Sequence, residues 1–540
     1  MKFAWEFIRA SSLNSEVFAP GRQNFKLLHR SFTYHKGTNM APIVRSFIRS
    51  IFSIGILRIL LLVYFVSALS AQAQQVPIHA SETRSPLAAN PAIRAFFISD
   101  IHFDPFHDPG KSWQLDAAPV SQWESILDSP STADQRKAFD SLQQRCGAKG
   151  VDTPPELLRS LVNAMRAQKT DAKFMVVSGD LVVHDFTCRY QKLFPQASAG
   201  AYQAFVVKTM SYVLGELRGA FPDIPIYAAM GNNDSGCGDY QLDPNSEFFA
   251  SAGDIFALGL PAQEQRKASK EFAAEGNYSI TMAAPMKNTR LIVLNDTFLS
   301  PKYRTCADKK DSTGADEEVA WLKNQLADAR QSGQRVWVMG HIPPGIDPYS
   351  TAEKFRDVCG GEDAVKFMSS EKIADLLVEY AAVVKLAIFA HTHMDELRLL
   401  QPGANRTVGV AVKMVPSVSP VHGNNPSVTI ATINPSSAVM QDYTVITASN
   451  LTGIDTKWAT EYNYARAYHQ TEFSSAALSA LIAKFRSDNI SVLPESASYL
   501  RNYFPGNRSA ELSPFWMQYT CALNNYTDKG YAACVCRTGN

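Results

Sequence analysis

The stretch Ala95-Phe-Phe-Ile-Ser-Asp-Ile-His102 places side chains that can bind metals directly after an apolar run. The stretch Phe174-Met-Val-Val-Ser-Gly-Asp180 repeats this arrangement. Short apolar runs of this kind predict buried strands. Further runs end in the same way, at Met230-Gly-Asn-Asn-Asp234, at Met339-Gly-His341 and at Ala390-His-Thr-His393. Because α/β sheets form their sites beyond the carboxyl ends of the strands, we expect these polar residues to meet in one crevice.

The polar residues after these runs form one candidate set of metal ligands. The set combines carboxylate and amide oxygens with imidazole nitrogens, from Asp100, His102, Asp180, Asn232, His341, His391 and His393. Such a mixture suits two divalent ions that lie close enough to share one carboxylate. A single Asp-x-His or His-x-His pair is weak evidence, because short motifs often arise by chance. The same types of residue after successive strand-like runs are a much more specific pattern.

In these motifs the chain resembles the calcineurin-like metallophosphoesterases, and within them the acid sphingomyelinase-like phosphodiesterases. The resemblance covers about residues 94–540 and includes the segments 99–105, 179–185, 340–345 and 416–420. It implies an α/β fold, namely a four-layer α/β/β/α sandwich with a C-terminal helical subdomain. It also implies a metal-dependent phosphoric ester hydrolase that cleaves phosphodiester or phosphoanhydride bonds.

The resemblance also assigns a role to each ligand. It makes Asp180 the bridging carboxylate between two metal ions. The first ion would be held by Asp100, His102 and His393, and the second by Asn232, His341 and His391. A hydroxide that bridges the two metals would attack phosphorus. The imidazole-rich ligand set and an oxidising compartment favour zinc, with iron and manganese as alternatives.

Residues near the motifs are candidates for contact with the substrate. His184, four residues after Asp180, could donate a proton to the leaving group, because an imidazole titrates near neutral pH. Asp185 would support His184, and Asn233 could donate a hydrogen bond to a phosphate oxygen. The alternative for His184 is a purely structural bond to a backbone carbonyl. His107 is a weaker candidate for substrate contact.

The sequence departs from the family pattern at Asn233, which stands where the family has a histidine. The resulting Gly-Asn-Asn-Asp is similar to the motif of endopolyphosphatases. No saposin-type module precedes the catalytic segment, which weakens sphingomyelin as the expected substrate. An endopolyphosphatase, a phosphomonoesterase and an inactive secreted binding protein are therefore the alternative functions. The expected partner is a small-molecule or lipid head-group phosphoester, with transient contact to a membrane surface in the lipid case.

Composition and charge indicate a globular chain without a special affinity for polyanions. The 540 residues are 46% hydrophobic and 19% charged, and 52 basic residues balance 51 acidic ones. No polybasic run stands out, so a nucleic acid polymer is not an expected partner. The length predicts more than one domain, while nothing in the sequence bears on the oligomeric state. We divide the chain into an N-terminal extension with a signal peptide (1–73), a linker (74–92), a metallophosphoesterase domain (93–447) and a helical subdomain (448–540).

The N-terminal region has the pattern of a secretory signal peptide. Arg45 and Arg49 precede an apolar run at 59–69, and Ala71-Gln-Ala73 follows as a cleavage site. The run is shorter than the roughly 20 residues that span a bilayer, so an uncleaved anchor is the less favoured alternative. Met40 is the expected start of translation, which would make 1–39 a mis-assigned extension. We expect a secreted or periplasmic protein.

The cysteines fit an exported protein. All eight follow the signal region, and an even number predicts disulfides in an oxidising compartment. Eight cysteines allow so many connectivities that sequence alone cannot pair them. The family resemblance implies a bond between Cys306 and Cys359, and Cys521 is expected to pair with Cys534 or Cys536.

Periodicity predicts further elements between and after the motifs. Strands are expected at 290–294, 408–415, 428–433 and 439–446, besides those that carry the motifs. Helices are expected at 153–166, 201–217 and 316–332, where apolar residues recur at helical spacing. The aromatic residues that crowd the segment after 450 are expected to pack as core rather than to bind a ligand.

Overall fold

The apolar runs of the sequence form the strands of two β-sheets. A computed structural model describes residues 91–537 of the protein, except 169, 287, 403–407, 508, 510 and 511. The strands in this part of the chain are β1 (Ile93–Ile98), β2 (Ala172–Ser178), β3 (Ile226–Ala229), β4 (Tyr278–Thr281), β5 (Thr289–Val293), β6 (Arg335–Met339), β7 (Val384–Phe389), β8 (Glu396–Leu400), β9 (Val410–Met414), β10 (Ser427–Asn434), β11 (Val439–Ala448) and β12 (Trp458–Asn463). The motif strands predicted from the sequence are β1, β2, β3, β6 and β7.

Helices occupy many of the connections between the strands. They are α1 (Pro109–Ala117), α2 (Trp123–Asp128), α3 (Gln135–Cys146), α4 (Pro155–Ala167), α5 (Phe186–Leu193), α6 (Ala199–Ala220), α7 (Glu247–Ala257), α8 (Ala262–Glu275), α9 (Thr313–Gln331), α10 (Pro348–Glu353), α11 (Lys372–Glu379), α12 (Tyr464–Tyr468), α13 (Ser475–Ser487), α14 (Pro494–Asn502), α15 (Trp516–Ala522) and α16 (Asp528–Val535). Helix α4 shows why such segments are helical. Proline at its first position lacks only an N–H that a helix leaves unpaired there, and Leu158, Leu161 and Met165 recur at helical spacing and are buried.

The first sheet has the strand order β12-β11-β10-β1-β2-β3. Strands β1, β2 and β3 run parallel to one another, whereas β10, β11 and β12 join as antiparallel neighbours. Phe97 of β1 lies between Val176 of β2 and Thr429 of β10 in the register. The carboxyl ends of the parallel strands β1, β2 and β3 therefore meet at one edge of this sheet.

The second sheet has the order β4-β5-β6-β7-β9-β8. Strands β5, β6, β7 and β9 are parallel, and β4 and β8 are antiparallel strands at its two edges. Strands β6 and β7 carry two of the predicted motifs at their carboxyl ends. A mixed sheet of this kind, parallel in the centre and antiparallel at its edges, is common in α/β proteins.

The two sheets pack face to face through a core of aromatic side chains. The ring of Trp337 on β6 lies 6.1 Å from that of Phe97 on β1 and 5.8 Å from that of Phe174 on β2. The Trp337 indole Nε1 donates a hydrogen bond of 2.7 Å to the carbonyl oxygen of Ala438, so its polar atom is satisfied although the residue is buried. This packing, with α4 and α6 on the first sheet and α9 and α11 on the second, confirms the predicted α/β sandwich.

The sequence did not predict strands β4, β8 and β12. Strand β8 carries Glu396 and Arg398, whose charged side chains are buried as a pair with 3.2 Å between Oε2 and Nη2. Charged residues at buried positions remove the continuous apolar run by which an internal strand is recognised. Strand β12 has exposed or half-exposed residues at most positions, as befits a strand at the edge of a sheet.

The aromatic residues near the C-terminus pack as core, as predicted. Tyr499, Trp516 and Tyr519 are buried, and their rings contact one another with 5.8 to 6.3 Å between centroids. They belong to the same hydrophobic core as strands β1 and β2. Residues 458–463 form a strand of the first sheet, so the helices described in the segment 448–540 all follow β12. The boundary between 447 and 448 stays a prediction.

The disulfides correct the predicted cysteine pairing. Cys306 bonds to Cys237 instead of Cys359, and Cys359 bonds to Cys536. The predicted Cys306–Cys359 bond is therefore wrong. Cys521 pairs with Cys534, one of the two partners expected for it. The remaining bond joins Cys146 at the end of α3 to Cys188 in α5.

The N-terminal predictions cannot be compared with this fold. The signal peptide, the start at Met40 and residues 74–90 of the linker lie outside the described residues. Among the described helices, none is both long enough and apolar enough to cross a lipid bilayer.

Candidate metal centre

The ligand residues follow their strands in a strained backbone conformation. Positive φ angles occur at Asp100 (47°), His102 (44°), Asp180 (53°), His391 (70°) and His393 (65°). Residues other than glycine rarely take this left-handed conformation, and each costs about 1–3 kcal/mol where it occurs. Such strain persists only where the surrounding structure enforces it, and it gathers at functional sites.

Glycines at the ends of β3 and β6 let the loops approach one another closely. A Cβ atom on Gly231 would lie 2.1 Å from Oδ1 of Asp180, and one on Gly340 would lie 2.2 Å from Oδ2 of Asp296. Both distances are shorter than any tolerable contact. The Gly-Asn and Gly-His motifs therefore need glycine for close packing against neighbouring carboxylates.

One group of predicted ligands lies on the side of the second sheet. Nε2 of His341 lies 3.1 Å from Oδ2 of Asp180 and 3.3 Å from Nδ1 of His391. These side chains can place their ligand atoms around a single ion. Asn232 follows β3, and its Nδ2 donates a 2.7 Å hydrogen bond to Oδ1 of Asp239. That bond fixes which way the amide of Asn232 is turned.

A second group lies on the other side of Asp180. Nε2 of His102 lies 3.4 Å from Oδ2 of Asp180 and 3.9 Å from Oδ1 of Asp100. Nε2 of His393 lies 3.5 Å from the same oxygen of Asp100. Asp100, His102 and Asp180 form another group whose ligand atoms could hold an ion. The structure thus brings all seven predicted ligands together, with Asp180 between the two groups.

Several oxygen and nitrogen atoms that could bind a metal ion are buried in this cluster and have no hydrogen-bond partner. They are both carboxylate oxygens of Asp100, Nε2 of His102 and Oδ1 of Asn232. Leaving such atoms unpaired in a buried site is costly, typically about 1–3 kcal/mol each. A divalent cation can bind oxygen and nitrogen atoms that lie close together in a buried site and have no hydrogen-bond donor beside them. The residues present therefore fit a metal centre.

Hydrogen bonds fix the orientation of the imidazole rings. Nδ1 of His102 donates to the carbonyl oxygen of Val182 at 2.9 Å, and Nδ1 of His341 donates to that of Ser178 at 2.9 Å. Each bond commits one ring nitrogen as a donor, so that Nε2 is left as the ligand atom. Ligand histidines in metalloproteins are held in this way, which is independent support for the proposed roles.

Burial and neighbouring charges shift the pKa values of the ligand residues. Burial raises the pKa of Asp100 to about 7. Burial also acts to raise the pKa of Asp180, but His341 and His102 hold it well below its usual range. Asp180 in turn raises the pKa of His341 to about 10, against the effect of burial. Burial lowers the pKa of His102, His391 and His393, which favours the neutral form in which an imidazole binds a metal.

His184 lies beside the cluster and faces the same cavity. Its ring stacks on His102, with 3.8 Å between centroids, and its Nδ1 lies 3.0 Å from Oδ1 of Asp152. Burial lowers the pKa of His184, but Asp152 outweighs it and raises the value to about 9. Ser419 donates a 2.6 Å hydrogen bond to the same oxygen of Asp152. This carboxylate therefore fixes both the orientation and the charge of His184.

Two sequence predictions near His184 need correction or refinement. The carboxylate that contacts His184 is that of Asp152, whereas Asp185 was expected to support it; Asp185 is exposed and lines the same cavity. Asn233 donates from Nδ2 to Oδ2 of Asp180 at 2.9 Å, and from its backbone N to Oδ1 at 2.9 Å. His107 packs against Phe139 and lines a separate cavity, so it is not brought to the cluster.

The ligand cluster opens into a cavity of about 290 Å³. Its lining includes Asp180, His184, Asn233 and His391 from the cluster. Lys149, Lys302 and His422 stand at the exposed part of this lining. A phosphoryl group bound in the cavity would meet the ligand cluster and the two lysine side chains.

Several residues around the centre were not predicted. Asp234 accepts hydrogen bonds from the backbone N of Leu181 and Gly231 and so ties β2 to β3. It follows directly on the Gly-Asn-Asn motif, which is a signal that could have identified it. The others have no local motif, because they reach the site from distant parts of the chain or from unpatterned loops: Asp152, Asp239, Tyr240 and Asp296.

Proteins named as phosphodiesterases resemble this chain over most of its length. Cyclic GMP-AMP phosphodiesterase SMPDL3A from Mus musculus is 24% identical over 400 residues, which cover 71% of this chain and 82% of the mouse protein. Acid sphingomyelinase-like phosphodiesterase 3b from Homo sapiens is 22% identical over 459 residues, 82% of this chain and 90% of its own. Sphingomyelinase phosphodiesterase D from Dictyostelium discoideum is 24% identical over 400 residues, 72% of this chain and 81% of its own.

A solved structure and a family profile also match parts of this chain. A crystal structure of a dimetal phosphatase from Danio rerio is similar over 69% of this chain and all of its own, at 14% identity and a TM-score of 0.34. The sequence profile of the calcineurin-like phosphoesterases matches residues 93–395, which is more than half of the chain. This chain therefore belongs to the calcineurin-like phosphoesterase family and is a phosphoric ester hydrolase.

Proposed function

We propose that this chain is a secreted phosphodiesterase that uses two divalent metal ions to hydrolyse phosphodiester or phosphoanhydride bonds. The observation that supports this most is the group of buried, unpartnered acceptors around Asp180, from Asp100, His102 and Asn232. Those atoms lie on both sides of one carboxylate, as a pair of bridged cations requires. A protein without metals would have no evident use for them.

Each side chain of the cluster has a role in this proposal. Asp100, His102 and His393 would hold one ion, Asn232, His341 and His391 the other, and Asp180 both. When bound, two divalent ions supply Lewis acidity to the phosphoryl group and activate solvent for attack on phosphorus. The nitrogen-rich ligands favour zinc, with iron and manganese as alternatives. The protein itself contributes rigid ligands whose second ring nitrogens are already bonded.

His184 is the proposed proton donor to the leaving group. Its Nδ1 is bound to Asp152, so Nε2 is the ring atom left to reach a substrate oxygen. About a third of the side chain, 31%, is exposed to the cavity. A general acid must be protonated before the reaction, and the neighbouring Asp152 carboxylate favours that state. Asp152 acts through His184 and is therefore a positioning residue.

Asn233 favours a second candidate function, endopolyphosphatase. An amide can donate a hydrogen bond to a phosphate oxygen but cannot transfer a proton. A leaving phosphate chain needs less protonation than an alkoxide, because its charge is spread over several oxygens. The exposed cations Lys149 and Lys302 beside the cavity would also suit a chain of phosphates.

Further features bear on substrate and location. The relatives are named for cyclic GMP-AMP and for sphingomyelin, so small-molecule or lipid head-group phosphoesters are the substrates to test first. Transient contact with a membrane surface belongs to the lipid alternative. The four disulfides of the described chain agree with export into an oxidising compartment.

A panel of substrates on the metal-loaded protein tests the proposal. We expect hydrolysis of diesters, measured with a dinucleotide, sphingomyelin and glycerophosphocholine, and none by an Asp180→Asn variant of unchanged fold. Cleavage of inorganic polyphosphate without any diester would favour the second candidate. A protein that hydrolyses none of these and binds no metal would support the inactive binding protein and contradict our proposal.

A further inference from the structure

We infer that His422 contacts the phosphoryl group of the substrate and donates a hydrogen bond to one of its oxygens. This inference deepens the proposed function and rests on it, because it needs a phosphoryl group bound at the ligand cluster. His422 is exposed and lies in the loop between β9 and β10. It lines the catalytic cavity and also a larger cleft of about 520 Å³ beside it. A substrate that extends from the cluster into this cleft would therefore pass His422.

His422 belongs to a group of imidazole rings on the wall of the catalytic cavity. Its ring lies 4.8 Å from that of His393, measured between centroids, in an edge-to-face arrangement. The ring of His184 lies 5.5 Å from the same His393 ring. All three residues line the cavity. A phosphoryl group that contacts His184 and His393 would therefore have the ring of His422 beside it.

The ring of His422 has a hydrogen-bond donor to spare. In the part of the chain that the structure describes, neither of its ring nitrogens is hydrogen-bonded to another residue. By contrast, Nδ1 of His184 is bound to Asp152, and Nε2 of His391 is bound to the hydroxyl of Tyr240. An imidazole carries at least one N–H group in either tautomer. That N–H group of His422 is available to an oxygen of a ligand in the cavity.

A turn holds His422 in place relative to the loop after β1. The backbone N of Gly423 donates to the carbonyl oxygen of Pro420 at 2.8 Å, which closes a turn around His422. Just before this turn, the backbone N of Ser419 donates to the carbonyl oxygen of Asp100 at 2.9 Å. A donor that is already fixed in position loses little conformational entropy when it binds an oxygen.

The loop that carries His422 also supports the proposed proton donor. Nδ2 of Asn424 donates to the carbonyl oxygen of Ser419 at 3.0 Å. The hydroxyl of Ser419 donates in turn to Oδ1 of Asp152 at 2.6 Å, and this carboxylate contacts His184. One hydrogen-bonded loop therefore sets the positions of two imidazoles, those of His184 and His422.

A hydrogen-bond donor in this position suits the hydrolysis of a phosphoester. The phosphoryl group of a diester carries its negative charge on two non-bridging oxygens, and charged oxygens accept stronger hydrogen bonds than neutral ones. Donors that are oriented in advance beside such oxygens stabilise the charge of the transition state. His422 is not among the groups of described side chains that could surround a metal ion, so nothing indicates that it is a ligand.

Substitutions of His422 in the full, metal-loaded protein test the inference. We expect His422→Ala to lower kcat/KM by about 10–100-fold for a dinucleotide and for glycerophosphocholine alike, because a hydrogen bond to a charged oxygen is lost. Calorimetry should show inorganic phosphate bound about tenfold more weakly. His422→Gln should keep most of both, since an amide supplies an N–H group, whereas His422→Phe should behave like His422→Ala. The metal content should stay that of wild type in all three variants.

His469→Ala is the matched control. This histidine is 63% exposed and lies outside the linings of the cavity and the cleft, so activity and phosphate affinity should stay unchanged. Wild-type kcat/KM and phosphate affinity in His422→Ala would overturn the inference. Full activity of His422→Phe, or loss of metal from His422→Ala, would also overturn it, because the ring would then only support His393.

Failure of the proposed function would appear in the wild type itself, as an absence of hydrolysis of every diester. Phosphate binding would still decide about His422 in that case. A wild type that binds no phosphate, or that binds it no more tightly than His422→Ala does, would contradict the inference.

Discussion

Nδ1 of His391 lies 3.3 Å from Nε2 of His341, and the two rings are nearly perpendicular. The second nitrogen of each ring is already engaged, with the carbonyl oxygen of Ser178 for His341 and the hydroxyl of Tyr240 for His391. Oδ2 of Asp180 lies 3.1 Å from the same Nε2 atom. Ligand atoms arranged in this way can surround one cation.

The hydrogen bond from His391 to the hydroxyl of Tyr240 should strengthen metal binding. The hydroxyl oxygen lies 3.2 Å from Nε2 of His391 and accepts its proton, which would leave the lone pair of Nδ1 for a metal ion. We expect Tyr240→Phe to lower metal affinity by about 10–100-fold, measured by competition with a chromophoric chelator. Tyr303→Phe is the matched control, because that hydroxyl donates to the carbonyl oxygen of Leu242 instead. Equal affinities in Tyr240→Phe and wild type would exclude this role.

The paired His184 and Asp152 should control departure of the leaving group. We expect His184→Ala to lower kcat by about 10²–10⁴-fold while KM and metal content stay close to wild type. Asp152→Asn should lower kcat as well, since it removes the carboxylate that orients His184. Asp185→Asn should have little effect, because Asp185 is exposed and Asp152 makes the contact. An unchanged kcat in His184→Ala would remove this histidine from the mechanism.

The disulfide from Cys359 to Cys536 should stabilise the fold substantially. It joins cysteines 177 residues apart, whereas Cys521 and Cys534 are separated by 13. Because a longer loop loses more entropy when it is closed, replacing both Cys359 and Cys536 by serine should lower the free energy of unfolding by about 2–5 kcal/mol. The Cys521, Cys534 double serine variant should lose less. Thermal denaturation checks both, and a larger loss from the short loop would contradict the expectation.

Glu318 should make stability depend on pH. It is buried in α9, where its Oε1 accepts a hydrogen bond of 3.2 Å from the backbone N of Asn295. Burial raises its pKa from 4.5 to about 8. The folded state then holds this proton more tightly than the unfolded state, so stability falls as pH rises from 4.5 to 8 and levels off above.

The variant Glu318→Gln isolates this effect because it cannot ionise. Its free energy of unfolding relative to wild type should improve by up to about 4 kcal/mol between pH 5 and pH 8. Denaturant titrations at several pH values measure that difference. A difference that stays constant over the whole range would show that Glu318 is not protonated in the folded protein.

The strands and ligands of the candidate metal centre could be predicted from the sequence for a physical reason. An apolar run such as Phe174 to Val177 forms a buried strand almost wherever it occurs, and parallel neighbours align their carboxyl ends. Ligands that follow such runs directly, including Asp180 and His341, must then converge. Periodicity and spacing therefore predicted the motif strands and the meeting of their ligands, whereas the four-layer sandwich and the role of each ligand came from the family resemblance.

The supporting residues could not be predicted, because their contacts are distant in sequence or carry no pattern. Asp152 contacts His184 across 32 residues, and Tyr240 contacts His391 across 151. Nothing near Asp152 distinguishes it from an ordinary residue before a helix. The prediction of the disulfide pairing failed for a similar reason. Pairing depends on Cα distances in the folded chain, such as the 5.6 Å between Cys359 and Cys536, which the sequence does not give.

The metal content of the purified protein tests the central claim most directly. Elemental analysis after loading with zinc and removal of the excess should give two divalent ions per chain. Asp180→Asn should lose metal and hydrolysis together while its circular dichroism stays that of wild type, because this carboxylate lies between both ligand groups. A wild-type protein that binds no metal under any loading, or an Asp180→Asn variant with full metal content and wild-type turnover, would contradict the account.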